Sequence, residues 1–515
     1  MKTNKLLLSF IALLFFGNSF ANNLKIENLN VTSTASETTA TFNISWDNSW
    51  YFNTAPDNWD AVWVFFKSYD CEPVNKEWKH VDVKTSSSSH STSGEIQVDA
   101  VPDGKGVFVR RNTAGTAGNI TSTTVTVRFQ GVYDVNTVNF KVMGIEMVAV
   151  LEGEFQVGGI SGTWADGVPV HNYAFNTTTI TSENSIAANA LRISGGSGVS
   201  NHLLVPAEFP KGYNKFYIMK YPISQEQYAS FLNLLTYSQQ ATRTSSTPLV
   251  ATNVNALAHA SNATIYNRNG VKMMTPSTGT PFPAEYGCNL TNDSDFNLTN
   301  DGQNIACNYL SWEDLQAYLD WSALRPMTEL EYEKAARGAS AAVADEYVWG
   351  NTNITNASST SLTDASQGSE ISNASTGLTA GTGLSAYGNT GTATGDGPLR
   401  VGFAAMSGTD RIAAGASYWG VMDLSGNVYE QTMGVGYSGS NLQTSFTGLL
   451  GDGELNSTGG FDVIGWTNSY LNSSLRGGSW YSPDTYLRTG SRYQINQSIN
   501  SARHREVGGR GVRQF

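Results

Sequence analysis

The chain has 515 residues, of which 14% are charged, and a formal net charge of −12. That length exceeds what one hydrophobic core usually serves, so two or three domains are expected. The acidic balance leaves no electrostatic footprint for nucleic acid or an anionic membrane surface, which excludes both as expected partners.

At the N-terminus Lys2 and Lys5 precede an apolar run from Leu6 to Phe16, and Ser19-Phe20-Ala21 offers small residues for cleavage. The pattern predicts a secretory signal peptide over residues 1–21, removed to leave Asn22 first. The apolar run is too short to span a bilayer, and no other stretch is long and apolar enough. A secreted or periplasmic location is the expectation.

From Leu24 to Val142 the pattern is of short β runs. Thr39 to Trp46 alternates with period two, while Ala61 to Phe66 is continuously apolar, as in a strand covered on both faces. Gly106–Val109, Thr123–Phe129 and Val138–Val142 follow, with Asp103-Gly104 and serine-rich turns between. This spacing predicts an antiparallel β-sandwich over residues 22–143. Trp46, Trp50, Trp59 and Trp63 crowd its first half, where core packing outweighs a ligand platform as their reading.

A second unit, 144–515, opens with a strand, a turn and a strand over Met147–Gly158. Three helices follow from their N-terminal boxes, at Ser224 with Gln227, Ser311 with Asp314, and Thr328 with Glu331. In each, a hydroxyl and an acid or amide three residues on satisfy backbone donors. The third runs to Arg337 and stops at Gly338. The stretches near 236–301 and 351–397 are polar, with few large apolar side chains, and read as long surface loops or partly disordered insertions. The fold class expected is α+β, a sandwich followed by a domain with little regular structure.

Cys71, Cys288 and Cys307 are too few for a disulfide framework. A Cys288–Cys307 bridge would close a short loop, worth about 3 kcal/mol, and would leave Cys71 free. The histidines are scattered without metal-ligand spacing.

Five ordered blocks of the second unit resemble one family. They are Phe216–Ser224, Arg325-Pro326-Met327-Thr328-Glu329-Leu330-Glu331-Tyr332-Glu333, running on to Gly338, Tyr347–Gly350, Gly420–Glu430, and Arg476-Gly477-Gly478-Ser479-Trp480. Gly511-Val512-Arg513 closes the chain where that family has Gly-Phe-Arg. Together they resemble the formylglycine-generating enzymes, or sulfatase-modifying factors, whose fold is related to the C-type lectins. The resemblance implies an oxidase that binds copper(I) through two cysteines after the Arg-Gly-Gly-Ser block. Those positions hold Ser482 and Leu487. Copper(I) is soft and selects thiolate, so neither copper nor any catalytic residue is expected. A sister branch holds iron on three histidines, and no His-x-x-x-His-x-Glu occurs in the N-terminal unit.

The resemblance further implies calcium, held by the Asp423 side chain, backbone oxygens of Gly426 and Val428, and the Glu430 carboxylate. A second calcium position maps to Asn356 and Asp396. Oxygen-only ligands suit a hard cation. Around the family's substrate pocket the tail would place Trp480, Tyr481, Tyr486, Arg488, Arg492, Tyr493 and His504, a composition suited to adaptable binding. Arg476 and Arg513 are expected to be structural. Two functions stand as expectations: a non-oxidase binding or scaffold module of the bacterial envelope, taking a protein, peptide or glycan ligand, or an oxidoreductase acting on protein cysteine through an atypical site.

Overall fold

A computed structural model describes residues 23–70, 77–159, 177–187, 190–195, 198–201, 204–259, 262–375, 378–389, 395–435, 445–495 and 502–514. The expected signal peptide and Cys71 lie outside these residues. No helix among them is long and apolar enough to cross a membrane.

The N-terminal strands are β1 (Lys25–Ser33), β2 (Thr38–Tyr51), β3 (Asp60–Asp70), β4 (Lys79–Val81), β5 (Ser91–Thr92), β6 (Ile96–Ala100), β7 (Val107–Arg111), β8 (Thr116–Arg128) and β9 (Val138–Val150). One sheet has the order β1-β2-β8-β5. The other runs Arg325–Pro326, Gly511–Gln514, Phe216–Met219, β9, β3, β7, β6, with β4 also on β3. Phe42, Ile44 and Trp46 of β2 meet Val62, Val64 and Phe66 of β3 between the sheets, forming the expected sandwich core. The alternate side chains of β3, Ala61, Trp63 and Phe65, enter a second core with Phe231, Tyr318 and Trp321. Successive strand side chains point to opposite faces, so the unbroken apolar run of β3 serves two cores at once.

Residue 144, where the sequence divides the two units, lies inside β9. That strand pairs with β3 from Val138 opposite Asp70 to Val148 opposite Asp60. Its other edge pairs with the Phe216–Met219 strand. The sandwich therefore shares one sheet with the C-terminal unit. Side chains reinforce this seam. The Arg513 guanidinium lies 4.1 Å over the Trp63 ring and binds both Asp103 carboxylate oxygens at 2.6 Å. Trp63 donates its indole N–H to the Ser322 carbonyl at 2.9 Å.

Four helices occur among the described residues: α1 (Gln225–Leu232), α2 (Tyr237–Arg243), α3 (Trp312–Trp321) and α4 (Glu329–Arg337). All four carry both arms of a capping box, at Ser224/Gln227, Thr236/Gln239, Ser311/Asp314 and Thr328/Glu331. Gly338 ends α4 at φ +65°, and a Cβ there would strike the Tyr418 ring.

The polar stretches depart from the sequence expectation, because their described residues are folded. Within 236–301, α2 and a two-stranded sheet form, and Val254, Leu257, Val271, Met273 and Tyr286 join the main core. Amide side chains take the place of a ladder partner. Asn233 both donates to the Tyr286 carbonyl at 2.8 Å and accepts its N–H at 2.7 Å. Gln240 brackets Ala284 in the same way, at 2.8 Å each. In 351–397, Ile354–Asn356 pairs in parallel with Gly383–Ser385. A buried Arg268–Glu370 ion pair clasps the two stretches together. Polar composition predicts disorder only when the polar groups bond to water, and here they bond to backbone. Cys288 and Cys307 are free, buried thiols, so the bridge considered from their spacing is absent.

Candidate functional site

The core beneath the site is built by α4, whose alternate glutamates meet arginines from distant segments. Arg325 is held by both oxygens of Glu331, at 2.8 and 2.6 Å. Glu333 takes Arg476 at 3.0 Å, Arg492 at 2.8 Å and Arg337 at 3.2 Å. Glu329 takes Arg492 at 3.1 Å. Burial pushes the Glu329 and Glu333 carboxyls up, but the facing arginines more than offset it and both lie below the usual range. Arg476 and Arg513 are thus structural, as expected. Arg492, expected at the binding surface, is fully buried in this network because two glutamates in α4 claim its guanidinium.

The two thiol positions are occupied by side chains with other work. The Ser482 hydroxyl donates to the Tyr429 hydroxyl at 2.8 Å, accepts the Ser479 N–H at 3.1 Å, and lies 2.9 Å from the Ser479 hydroxyl. Ser479 in turn donates to Glu506 at 2.6 Å. Among the described residues, neither Glu506 nor a histidine hydrogen-bonds to Ser482 directly, and Glu506 reaches it only through Ser479. Leu487 is buried with Tyr332, Val348 and Trp349. A Cβ on Gly478 would fall 2.4 Å from its Cδ1, which fixes the close approach of this turn. Cys288 and Cys307 are free thiols, both buried. Burial holds both well above the usual thiol value, which keeps them protonated.

The tail residues divide by exposure. Trp480 is buried and donates its indole N–H to the Arg505 carbonyl at 3.2 Å, so it supports the surface from below. Arg488 pairs with Asp345 at 2.8 Å. Tyr486 and Tyr493 stack at 4.2 Å, with Tyr493 41% exposed. Tyr481 lies under the Arg505 guanidinium at 4.2 Å. His504 and Arg505 line a cavity of about 710 Å³ together with Arg243, Arg503, Glu313 and Asp314. Asp314, which caps α3, also holds Arg503 at 2.8 Å and Arg243 at 3.1 Å. Burial lowers the His504 imidazole below its usual value, and Arg505 adds to the effect, so the ring is neutral at pH 7. The sequence reading missed Arg243, Arg503 and Arg505. The Arg503-His504-Arg505 run was a local signal, whereas Arg243 ends a helix announced only by the Thr236/Gln239 box.

The residues implied for calcium form two groups. Asp423 stands at φ +57° with Oδ2 accepting the Gly402 N–H at 2.6 Å. The Gly426 N–H donates to the Gly477 carbonyl at 2.7 Å. Glu430 Oε1 accepts from Arg510 Nε at 2.7 Å, and Nη2 of the same guanidinium lies 2.6 Å away in the ion pair. Its Oε2 is buried without a hydrogen-bond partner, as is Asn356 Oδ1. Asp396 Oδ1 accepts from Ser359 at 3.1 Å. Orphaned acceptor oxygens are what a hard cation takes, and these two atoms, Glu430 Oε2 and Asn356 Oδ1, fit one. The fit is closer at Asn356, since Arg510 already places a positive charge beside Glu430.

Elsewhere, Asp320, Asp452 and Asp462 bring carboxylate oxygens within 4.8 Å of one another. Burial pushes the Asp320 carboxyl up to about 7.

No curated protein matches the chain. The family model of the sulfatase-modifying factor enzyme 1-like domain matches residues 135–515, beginning just ahead of β9. With well over half of its length covered and the signature glutamates and arginines paired in one core, this chain belongs to the sulfatase-modifying-factor family.

Proposed function

We propose that this protein is a non-oxidase member of its family, a binding module acting outside the cytoplasm in the bacterial envelope. The observation that carries the reading is the pair Ser482 and Leu487. One hydroxyl is committed to a buried network and one alkyl group to a core, and neither offers a thiolate to copper(I). What remains is a tail that combines half-exposed tyrosines with a cavity lined by arginines and His504. Tyrosine gives large contact area at low entropic cost, and guanidinium groups hold carboxylates or carbonyls. Because Asp314 already holds Arg243 and Arg503, a peptide segment that offers backbone carbonyls fits that chemistry.

The test exposes copper-loaded protein to oxygen and a Cys-x-Pro-x-Arg peptide, and reads formylglycine by mass. No conversion is expected. Copper-dependent turnover would establish the alternative, an oxidoreductase working through an atypical site. In parallel, peptide that co-purifies with the wild type is expected to be lost from the Tyr486→Ala/Tyr493→Ala double variant.

Calcium at Asn356 with Asp396, and at Asp423 with Glu430, Gly426 and Val428, belongs to the same proposal as a stabilising ion. A ligand binding only the folded state raises stability by mass action. Chelation with EDTA is expected to lower the melting temperature by several degrees, and calcium, but not magnesium, to restore it. An unchanged melting curve argues against both positions.

A further inference from the structure

We infer that the cleft at the seam between β2 and the 405–422 segment is a second ligand site, built for a neutral sugar ring. This goes beyond the tail site. One wall comes from Trp50 and Phe52, which precede the family-matched residues, so the site exists only where the two units meet.

The cleft encloses about 670 Å³, a volume typical of small-ligand sites. Trp50 and Phe52 lie with ring centroids 6.2 Å apart and planes within 24°, forming one stepped aromatic wall. Phe52 is 39% exposed. The wall is pinned in place. The Trp50 backbone N–H donates to Asp60 at 3.0 Å and its indole N–H to Asn58 at 3.3 Å. Asn58 also donates to the carbonyls of Ala149 at 3.1 Å and Trp419 at 2.8 Å, tying both sides of the cleft to one side chain. Gly420 allows the closest approach, since a Cβ there would lie 2.8 Å from the Trp50 ring.

Charge decides the ligand class. The buried Lys220 ammonium on the floor is held by Glu146 at 3.1 Å and Asp60 at 3.3 Å, so it does not call for an anion. Arg411 donates to the carbonyls of Ala416 and Trp349, at 3.0 and 3.2 Å. Among the lining residues, the Thr409 hydroxyl is spent on the Met406 backbone, while Asp410 accepts the Ala413 N–H at 2.8 Å through Oδ1 and has its Oδ2 left for a ligand. A wholly apolar ligand would offer nothing to the Asp410 carboxylate at the rim, whereas a ligand hydroxyl can donate to it. A pyranose meets both demands, with C–H faces for the rings and hydroxyls for the rim.

The full chain is titrated with neutral hexasaccharides of glucose, mannose and N-acetylglucosamine, read by tryptophan fluorescence and calorimetry. One of them is expected to bind saturably. Phe52→Ala and Asp410→Asn, both at exposed positions, are each expected to weaken it about tenfold with unchanged melting temperature. The Tyr486→Ala/Tyr493→Ala variant is expected to bind the sugar as the wild type does, which separates this site from the tail. Absence of saturation by all three sugars overturns the inference. So does affinity that both cleft variants leave unchanged, or displacement of bound sugar by indole at equal concentration.

Discussion

Glu333→Ala is expected to destabilise the fold by about 3–5 kcal/mol, the cost of breaking a buried charge network from one side. Glu333 is fully buried, and its Oε1 takes Arg476 and Arg492 while its Oε2 takes Arg337 and the Gly158 N–H at 2.7 Å. Removal leaves three guanidinium groups sharing Glu329 and Glu346 in an interior closed to water. Glu333→Gln keeps the shape and two acceptor lone pairs but loses the charge, and is expected to fall between wild type and Ala. Urea unfolding measures both, and a loss below about 1 kcal/mol for Ala would mean that water reaches the network. The pH dependence has a fixed sign. Glu329 and Glu333 sit below their ordinary 4.5 in the folded state, so the unfolded chain binds protons first on acidification. Their stabilisation is complete above about pH 4.5 and is lost as pH falls through the lower folded values.

These energetics explain which features the sequence made legible. Capping boxes are local, so Ser224, Ser311 and Thr328 announced their helices within four residues. The run Ala61–Phe66 announced a doubly covered strand because both its faces are apolar. The identities Ser482 and Leu487 were readable without any structure, and they already argued against copper. Pairing over long separations was not readable. Arg492 looked like a ligand contact until Glu329 and Glu333, 163 and 159 residues away, were seen to hold it. The continuity of β9 across residue 144 depends on partners in β3 and Phe216–Met219 that no local pattern names. The polar stretches misled for a related reason. Gln240 lies in a stretch read as a surface loop, yet it satisfies a backbone segment more than forty residues on.

A stability minimum near pH 7 is expected from two groups at the seam of the shared sheet. Burial lowers the Lys67 ammonium from 10.5 to about 7, against the pull of Glu454, Asp320 and Asp452. Lys67 lies on β3 and donates to the carbonyls of Trp321, at 2.8 Å, and Gly453. Burial raises the Asp320 carboxyl from 3.8 to about 7, although the Asp452 and Asp462 N–H groups each donate to it at 3.1 Å. Between pH 4 and 7 the folded chain keeps a proton on Asp320 that the unfolded chain releases, so stability falls as pH rises. Between pH 7 and 10 the unfolded chain keeps a proton on Lys67 that the folded chain lacks, so stability rises again. Each arm amounts to a few kcal/mol, at about 1.4 kcal/mol per pKa unit. Asp320→Asn separates the two arms. It loses one of two backbone acceptors, about 1 kcal/mol, and is expected to be less stable than wild type at pH 4. At pH 8 it no longer holds a carboxylate charge in a buried site beside Asp452 and Asp462, and is expected to be more stable. Urea midpoints at pH 4, 6, 8 and 9.5 in EDTA test the crossing. Parallel profiles for the two proteins would mean that Asp320 ionises in the fold as it does in water and contributes no arm to the minimum.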